Sequence, residues 1–170
     1  VEYLLDGNSQ TTINNEFAPS QDNLYDLGDA SLRWDDIYAT NGTIVTSDRR
    51  EKESIDNLEY GLKEIMKLRP VAYKWNRDYI GVTPLEDDKK ELKLGLIAQE
   101  VQEVLPEVVQ THNWEPISED RPGEYHLVPM ERLGMSYHEI MPVMIKAIQE
   151  QQEMMKQQQT ENEELRNMLS

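Results

Sequence analysis

The sequence predicts an α+β chain, with short strands and polar hairpins, two short helices and one long C-terminal helix. Three observations lead to this fold class. Residues 1–46 hold brief apolar patches separated by Asn, Asp, Gly and Ser, a pattern typical of short strands and turns. From Asp56 onward, apolar residues recur at helical spacing. From Met141 to the end, a heptad pattern holds for four repeats.

The composition excludes several classes of function. The 170 residues include 17 Lys and Arg against 33 Asp and Glu, so the net charge is −16, and nucleic acid and anionic lipid are poor partners. With no Cys and three scattered His, we expect no metal site and no cofactor. No apolar run approaches the ~20 residues of a membrane span. Because the chain begins with Val1 rather than Met, we expect it to be part of a longer protein.

The first 46 residues differ from the rest in charge and apolar content. They hold eight acids and one base, a net −7, whereas residues 47–170 hold 25 acids and 16 bases, a net −9. Their few large apolar side chains, among them Phe17, Leu24, Trp34 and Tyr38, cannot form a core alone. This segment is therefore either disordered or completed by copies of itself.

The middle of the chain predicts two short helices and a strand. The first helix begins at an Asp56-to-Glu59 capping box and ends before Pro70. Residues 71–75 alternate and are rich in aromatic and β-branched types, which predicts a strand. The second helix runs from Leu96 to Leu105, and Pro106 closes it. The inward positions are Leu58, Leu62, Ile65 and Met66 in the first helix, and Ile97, Val101 and Val104 or Leu105 in the second.

Two polar excursions interrupt these elements. Residues 76–94 carry a mixed acidic and basic run, which indicates a solvated hairpin or loop. Residues 110–129 contain Pro116, Pro122 and Gly123 and end in an extended stretch, Tyr125 to Val128.

The carboxyl-terminal stretch predicts a long helix, residues 136–169, that self-associates. With Met141 in position a, the seam is apolar at both ends and polar in its middle, which suits a multi-stranded bundle with hydrogen-bonded layers. A solitary solvated helix is the alternative, but it would expose Met144, Ile148 and Leu165 to water. The predicted core positions are Met141, Met144, Ile148, Gln151, Met155, Gln158, Asn162 and Leu165.

A nucleophile and a base lie close together at the junction of the two segments, in Thr46-Ser47-Asp48-Arg49-Arg50-Glu51-Lys52. A serine needs an adjacent base at neutral pH, and a lysine serves when desolvation or nearby cations favour its neutral form. An intervening turn would bring Lys52 to Ser47, and the two arginines would keep the amine neutral or bind an oxyanion. On spacing alone, however, the pair is too common to separate from a polar linker.

Four sequence blocks follow one another along the chain. They are Leu27–Tyr38; Ser47–Lys52 with Leu68–Trp75; Gly95–Val101 with Leu105–Val109; and Tyr137–Pro142 with Ile145–Glu150. In this order they resemble the intramolecular chaperone domain of phage tail spikes and fibres, the peptidase S74 family, with the fibre end that precedes it. A related self-cleaving domain occurs in the myelin regulatory factor family, but the block around Trp34 favours a phage fibre. The resemblance covers nearly the whole chain.

The resemblance implies a homotrimer that helps the preceding fibre to fold and then cuts itself off between Thr46 and Ser47. Ser47 would be the nucleophile and Lys52 its general base, in a single-turnover serine endopeptidase. Direct attack and an N-to-O acyl shift both remain open. Irreversible release would leave the fibre kinetically stable. Supporting roles fall to Asp48, Arg50 and Gln99, although Gln99 is equally well explained as the cap of a strand.

Domain organisation and partners follow from the same resemblance. Residues 1–46 would be the end of an intertwined β fibre that stays in the virion tail. Residues 47–170 would be the chaperone, released into the cytoplasm of the infected bacterium, with a trimeric coiled coil over 136–169. The expected partners are two further copies and the preceding fibre, and a bacterial surface receptor is left open. The alternative function is a non-cleaving structural fibre tip for receptor adhesion.

Overall fold

The computed structural model describes residues 14, 16–20, 22, 26–28, 32–34, 36–76, 79–80, 83–118 and 123–169. The chain divides into two compact units, Val1–Ala39 and Thr40–Ser170. In the first unit the described residues form turns and irregular backbone, and Phe17, Leu32 and Trp34 are exposed. Nearly half of the segment predicted as an intertwined β trimer, including Leu24, lies outside the described residues. The predicted boundary at residue 46 therefore stays a prediction.

The second unit confirms the α+β class, with short antiparallel strand pairs and a long C-terminal helix. A 3-10 turn, Arg49–Glu51, comes first, and a second one, Pro106–Val108, follows the second helix. The helices are α1 (Leu62–Ile65), α2 (Ala98–Gln102) and α3 (Tyr137–Leu169). The strands are β1 (Val71–Tyr73), β2 (Tyr79–Ile80), β3 (Thr83–Pro84), β4 (Lys93–Gly95), β5 (Val109–Pro116) and β6 (Tyr125–Met135).

Helix α1 is much shorter than the predicted helix from Asp56 to Pro70. It begins only at Leu62, because its first amide donors find partners there rather than at Asp56. Glu64 Oε2 accepts from the Gly61 amide at 3.1 Å, and Glu150 Oε2, from α3, accepts from the Leu62 amide at 2.8 Å. The prediction of an Asp56 cap was wrong because this tertiary contact fixes where α1 starts.

Two hairpins correspond to the predicted polar excursions. Strands β2 and β3 pair between residues 79 and 84. Strands β5 and β6 form a much longer hairpin, from Val109 opposite Met135 to Pro116 opposite Tyr125, with a register shift between Gln110 and His112. The extended stretch predicted for 125–128 therefore continues to residue 135. Trp114 and Leu127 pair across this hairpin and are both exposed.

A third strand pair, β1 with β4, is fastened to the start of α3. Gly95 pairs with Val71, and the Tyr137 hydroxyl accepts from the Leu96 amide at 3.0 Å. A Cβ on Gly95 would lie 2.6 Å from that hydroxyl oxygen, so only glycine leaves room for Tyr137. The predicted strand over 71–75 is shortened to β1, after which Tyr73 and Trp75 make an edge-to-face contact at 5.2 Å.

The core is small and lies where α2, the second 3-10 turn and the first turns of α3 meet. Val101 and Leu105 are each 1% exposed, as the sequence predicts, but Ile97, also predicted inward, is exposed. Helix α2 ends at Gln102, because a tighter turn carries the chain on to Leu105. The buried cluster is Val101, Leu105, Val108, Val109, Ile140 and Val143. Each such burial stabilises the fold by roughly 1.5–3 kcal/mol.

Candidate active site

The structure places Lys52 against Ser47. Lys52 Nζ donates to Ser47 Oγ at 2.6 Å. The 3-10 turn between them reverses the chain, with Glu51 N donating to Asp48 O and Lys52 N donating to Arg49 O, each at 3.2 Å. A single tight turn and the long lysine stem therefore bridge a separation of five residues. The turn predicted from the sequence is present, and it puts the predicted nucleophile and the predicted base within hydrogen-bonding distance.

Asp48 holds the turn in shape. Its backbone is extended, and its Oδ1 accepts from the Arg50 amide at 2.9 Å, as an N-cap does. The Arg50 guanidinium also pairs with this carboxylate, with Nη2 2.6 Å and Nε 3.1 Å from Oδ2. These hydrogen bonds from Arg50 lower the pKa of Asp48 below its usual value. Asp48 and Arg50 thus contact each other rather than the Ser47 hydroxyl, which is the arrangement expected of positioning residues.

The pair lies at the surface of the single chain. Ser47 and Lys52 are both exposed, as are Thr46 and Arg49 beside them. Two residues after Lys52, Ser54 has a φ of 49°, in the left-handed region where a residue with a Cβ is strained. The backbone that follows Lys52 is therefore sharply bent and faces solvent.

Gln99 is not part of this turn. It is exposed on α2 and lines an open groove of about 710 Å³ with Tyr73, Trp75, Ile97 and Tyr137. Within the described part of the chain, no hydrogen bond joins Gln99 to Ser47 or Lys52. The supporting role of Gln99 therefore stays a prediction.

Two polar contacts escaped the sequence reasoning, although each involves a residue in or next to a block quoted above. Arg69 forms a two-pronged ion pair with Glu100 of α2, which raises the pKa of Arg69 and lowers that of Glu100. The Tyr60 hydroxyl donates to Glu107 Oε1 at 3.0 Å, and this bond raises the pKa of Tyr60. An arginine directly before the proline that ends a predicted helix was the available signal for the first pair. These contacts join distant parts of the fold and do not touch the dyad.

The predicted seam of α3 faces away from the core. Ile140, Val143 and Ala147 are buried, and they form a separate stripe of the helix. The predicted core positions all face solvent in the single chain, including Met141 at 58%, Ile148 at 62% and Leu165 at 54% exposed. The 100° step per residue puts the two stripes about a third of a turn apart. Helix α3 therefore has one apolar stripe that is buried in the core and a second one that is exposed to solvent.

Comparison with known proteins bears on the second and third of the quoted blocks. Residues 47–110 match the family model of Peptidase_S74, described as the chaperone of endosialidase. This segment belongs to the peptidase S74 family. The S74 segment begins at Ser47 and contains the dyad turn, α1, β1 to β4 and α2. The family description indicates a role in folding, and its name places the segment in a peptidase family, without assigning catalytic residues in this chain.

A curated relative of the chain is "Myelin regulatory factor homolog 1" of Caenorhabditis elegans. The two are 36% identical over 77 residues, which is 44% of this chain and 8% of the relative. The chain therefore corresponds to a small part of that protein's length.

The described residues contain neither a candidate metal cluster nor a membrane-spanning helix. Among them, no cluster of three or more His, Cys, Asp or Glu is arranged to hold a metal ion. None of the helices described is long and apolar enough to cross a membrane.

Proposed function

We propose that residues 47–170 form a self-cleaving trimerisation chaperone that releases itself from a preceding phage tail fibre by cutting between Thr46 and Ser47. The observation that carries the proposal is the 2.6 Å contact between Lys52 Nζ and Ser47 Oγ, at the residue where the S74 match begins. The family match supports a folding role and membership of a peptidase family. The cut itself, the dyad and the trimer are parts of the proposal.

The proposed reaction uses Ser47, Lys52, the carbonyl group of Thr46 and one water molecule. Lys52, in its neutral form, takes the hydroxyl proton while Ser47 Oγ attacks the carbonyl carbon of Thr46. The bond between that carbon and the Ser47 nitrogen breaks, the nitrogen takes a proton, and an ester remains. Water hydrolyses the ester, which leaves a carboxylate on Thr46 and restores the serine hydroxyl. Because the scissile bond adjoins the nucleophile, no separate substrate pocket is required.

Under this proposal, cleavage would take place only after the chains have assembled. A lysine becomes an effective base when burial or nearby cations favour its neutral form, yet Ser47 and Lys52 are exposed in the single chain. We expect a neighbouring surface in the trimer to cover the dyad and so to activate it. The unpartnered seam of α3 would supply the association. Only a folded and assembled fibre would then lose its chaperone.

The partners and places of action follow from this function. The chain would associate with two further copies and act on the fibre to which its amino-terminal segment belongs. The fibre would remain on the virion tail, and the chaperone would be released in the host cytoplasm. The exposed pair of Trp114 and Leu127 on the long hairpin is a surface suited to touching the fibre during folding.

Expression of the full chain followed by a denaturing gel and intact-mass analysis tests the proposal. Wild-type protein should yield residues 1–46 and 47–170, the second beginning at Ser47. Ser47→Ala and Lys52→Met should each slow the cut by roughly 10²-fold or more, because each removes one half of the dyad. Glu51→Gln is the matched control from the same turn and should cut normally.

Three results would count against parts of this proposal. Wild-type protein that trimerises but stays whole supports the non-cleaving fibre tip instead. Normal cutting by Lys52→Met would mean that another group is the base. Hydroxylamine should speed chain cleavage if an ester accumulates, and an unchanged rate would exclude an accumulating ester.

A further inference from the structure

A groove of about 620 Å³ lies between α1 and α3. It is lined both by α1 and by the predicted seam of α3. One wall is made by Leu62 and Met66 of α1. The other includes Gln151, Met155 and Gln158, three of the predicted core positions of the α3 seam. Any helix that packs on this part of the seam must therefore also meet α1.

Each wall of the groove carries an apolar side chain that is open to water in the single chain. Met66 is 74% exposed and Met155 is 50% exposed. Thioether side chains adapt their shape readily and are frequent at surfaces that receive another helix. The exposed apolar surface at these two residues would leave water if an apolar helix face were laid into the groove.

Charge complementarity indicates which helix fits. In the heptads from Met141 to Leu169, the positions that flank the seam carry two charged residues, Glu161 at g and Arg166 at e. In parallel helices in register, a g residue lies next to the e residue five places later on the neighbouring helix. Glu161 of one copy would therefore meet Arg166 of the next. Antiparallel helices would not bring these two together.

The same two residues do not suit a pairing within one helix. Side chains interact along a helix at spacings of three and four, whereas Glu161 and Arg166 are five apart and flank opposite sides of the seam. Gln157 Nε2 donates to Glu161 Oε1 at 2.9 Å, and this contact holds the carboxylate beside the groove.

We propose that the groove receives α3 of a second copy of this chain, parallel and in register, with Leu62 and Met66 as its outer wall. Glu161 and Arg166 of the neighbouring copy set the register. The proposal rests on the self-association proposed above and adds α1 to the interface. Since α1 follows the dyad turn in sequence by ten residues, the contact links assembly to the segment that carries Ser47 and Lys52.

Charge reversal tests the register. Glu161→Arg and Arg166→Glu should each lower the trimer association constant by about tenfold, because each puts like charges together three times per trimer. The double variant restores opposite charges and should associate within roughly twofold of wild type. Sedimentation measures all four proteins. Single variants that associate normally, or a double variant that stays weak, would overturn the proposed register.

Substitution on α1 tests the second wall. Met66→Gln keeps the length of the side chain but should weaken association about tenfold, since apolar burial is lost at three sites. Lys63→Gln, on the same short helix but outside the groove, is the control and should associate as wild type. Circular dichroism checks that both variants fold. Unchanged association of Met66→Gln would remove α1 from the interface.

Cross-linking tests the geometry directly, because the chain has no cysteine of its own. The double variant Glu161→Cys with Arg166→Cys should form disulfides between chains on mild oxidation. Pairing Glu161→Cys with Gln149→Cys instead should not. A wild-type chain that sediments as a monomer would defeat the proposed self-association and this inference together. A trimer whose cysteines fail to cross-link would defeat this inference alone.

Discussion

At the scale of single residues, one ion pair keeps the dyad turn in shape. Arg50 donates to the Asp48 carboxylate through its amide, Nε and Nη2. Arg49, next to it, makes none of these bonds. The two arginines have the same charge and adjacent positions, but only Arg50 bonds to the Asp48 side chain. Arg49 is therefore a matched control for Arg50.

We predict that Arg50→Gln raises the pKa of Asp48 back toward the ordinary 3.8, whereas Arg49→Gln leaves it lowered. Carbon NMR of the Asp48 carboxyl, in an uncut Ser47→Ala background, measures this. Because the pair lowers the pKa in the folded turn, its support is present above the ordinary value and lost as the pH falls through the lowered one. In the cleavable chain, Arg50→Gln should cut roughly tenfold more slowly. Equal effects of the two substitutions would contradict a positioning role for Arg50.

The local part of the site was predictable from the sequence, and the distant part was not. Ser47 and Lys52 are five residues apart, so a single local turn is enough to bring them together. The predicted contact between their side chains is present. The bond from the Leu62 amide to Glu150 spans 88 residues of sequence. No nearby pattern indicates such a partner, so the start of α1 was placed six residues too early.

At the scale of elements, the junction of α1 and α3 depends on a glycine. Gly61 is buried, and a Cβ there would lie 2.6 Å from the carboxyl carbon of Glu150. The carboxylate sits at the end of a flexible side chain and could move away. Its departure would leave the Leu62 amide without its acceptor, so the cost of a larger residue is the cost of the lost cap.

We predict that Gly61→Ala and Glu150→Ala each lower the free energy of unfolding by about 1 kcal/mol, the usual value of a helix cap. Because both remove the same bond, the double variant should lose clearly less than the sum of the two. Urea unfolding measures the cycle. Gly134→Ala is the control, since a Cβ there meets Gln110 at an ordinary 3.4 Å. Additive losses would show that Gly61 and Glu150 act independently.

Element types were easier to predict than element lengths. The long C-terminal helix was predicted within a residue of its observed start at Tyr137, because its pattern persists over many turns. The two short helices were predicted too long. Tertiary contacts hold each of them, among them the bond from the Leu62 amide of α1 to Glu150 and the burial of Val101 of α2 in the core. Those contacts, rather than helix propensity, decide where a four- or five-residue helix begins and ends.

At the scale of the whole molecule, the seam of α3 and the pair of Ser47 and Lys52 share one property, which is exposure to solvent. All side chains of α3 from Gln151 to Leu169 are exposed in the single chain, and Ser47 and Lys52 are exposed as well. A single chain thus leaves both its longest apolar stripe and its candidate catalytic pair in water. Association into a trimer would bury the apolar stripe of α3. Under the proposed function, the same association would also activate Ser47 and Lys52.

We predict that Ile148→Asp abolishes both assembly and self-cleavage without unfolding the single chain. Ile148 is 62% exposed, so the change leaves the buried core intact, but it would place three carboxylates in the centre of a trimer. Gln149→Asp adds the same charge on the next residue, outside the seam, and should assemble and cut as wild type. Sedimentation gives the oligomeric state, and a time course on a denaturing gel gives the cut. A monomeric Ile148→Asp chain that cuts at the wild-type rate would separate cleavage from assembly, and a trimeric one would remove Ile148 from the seam.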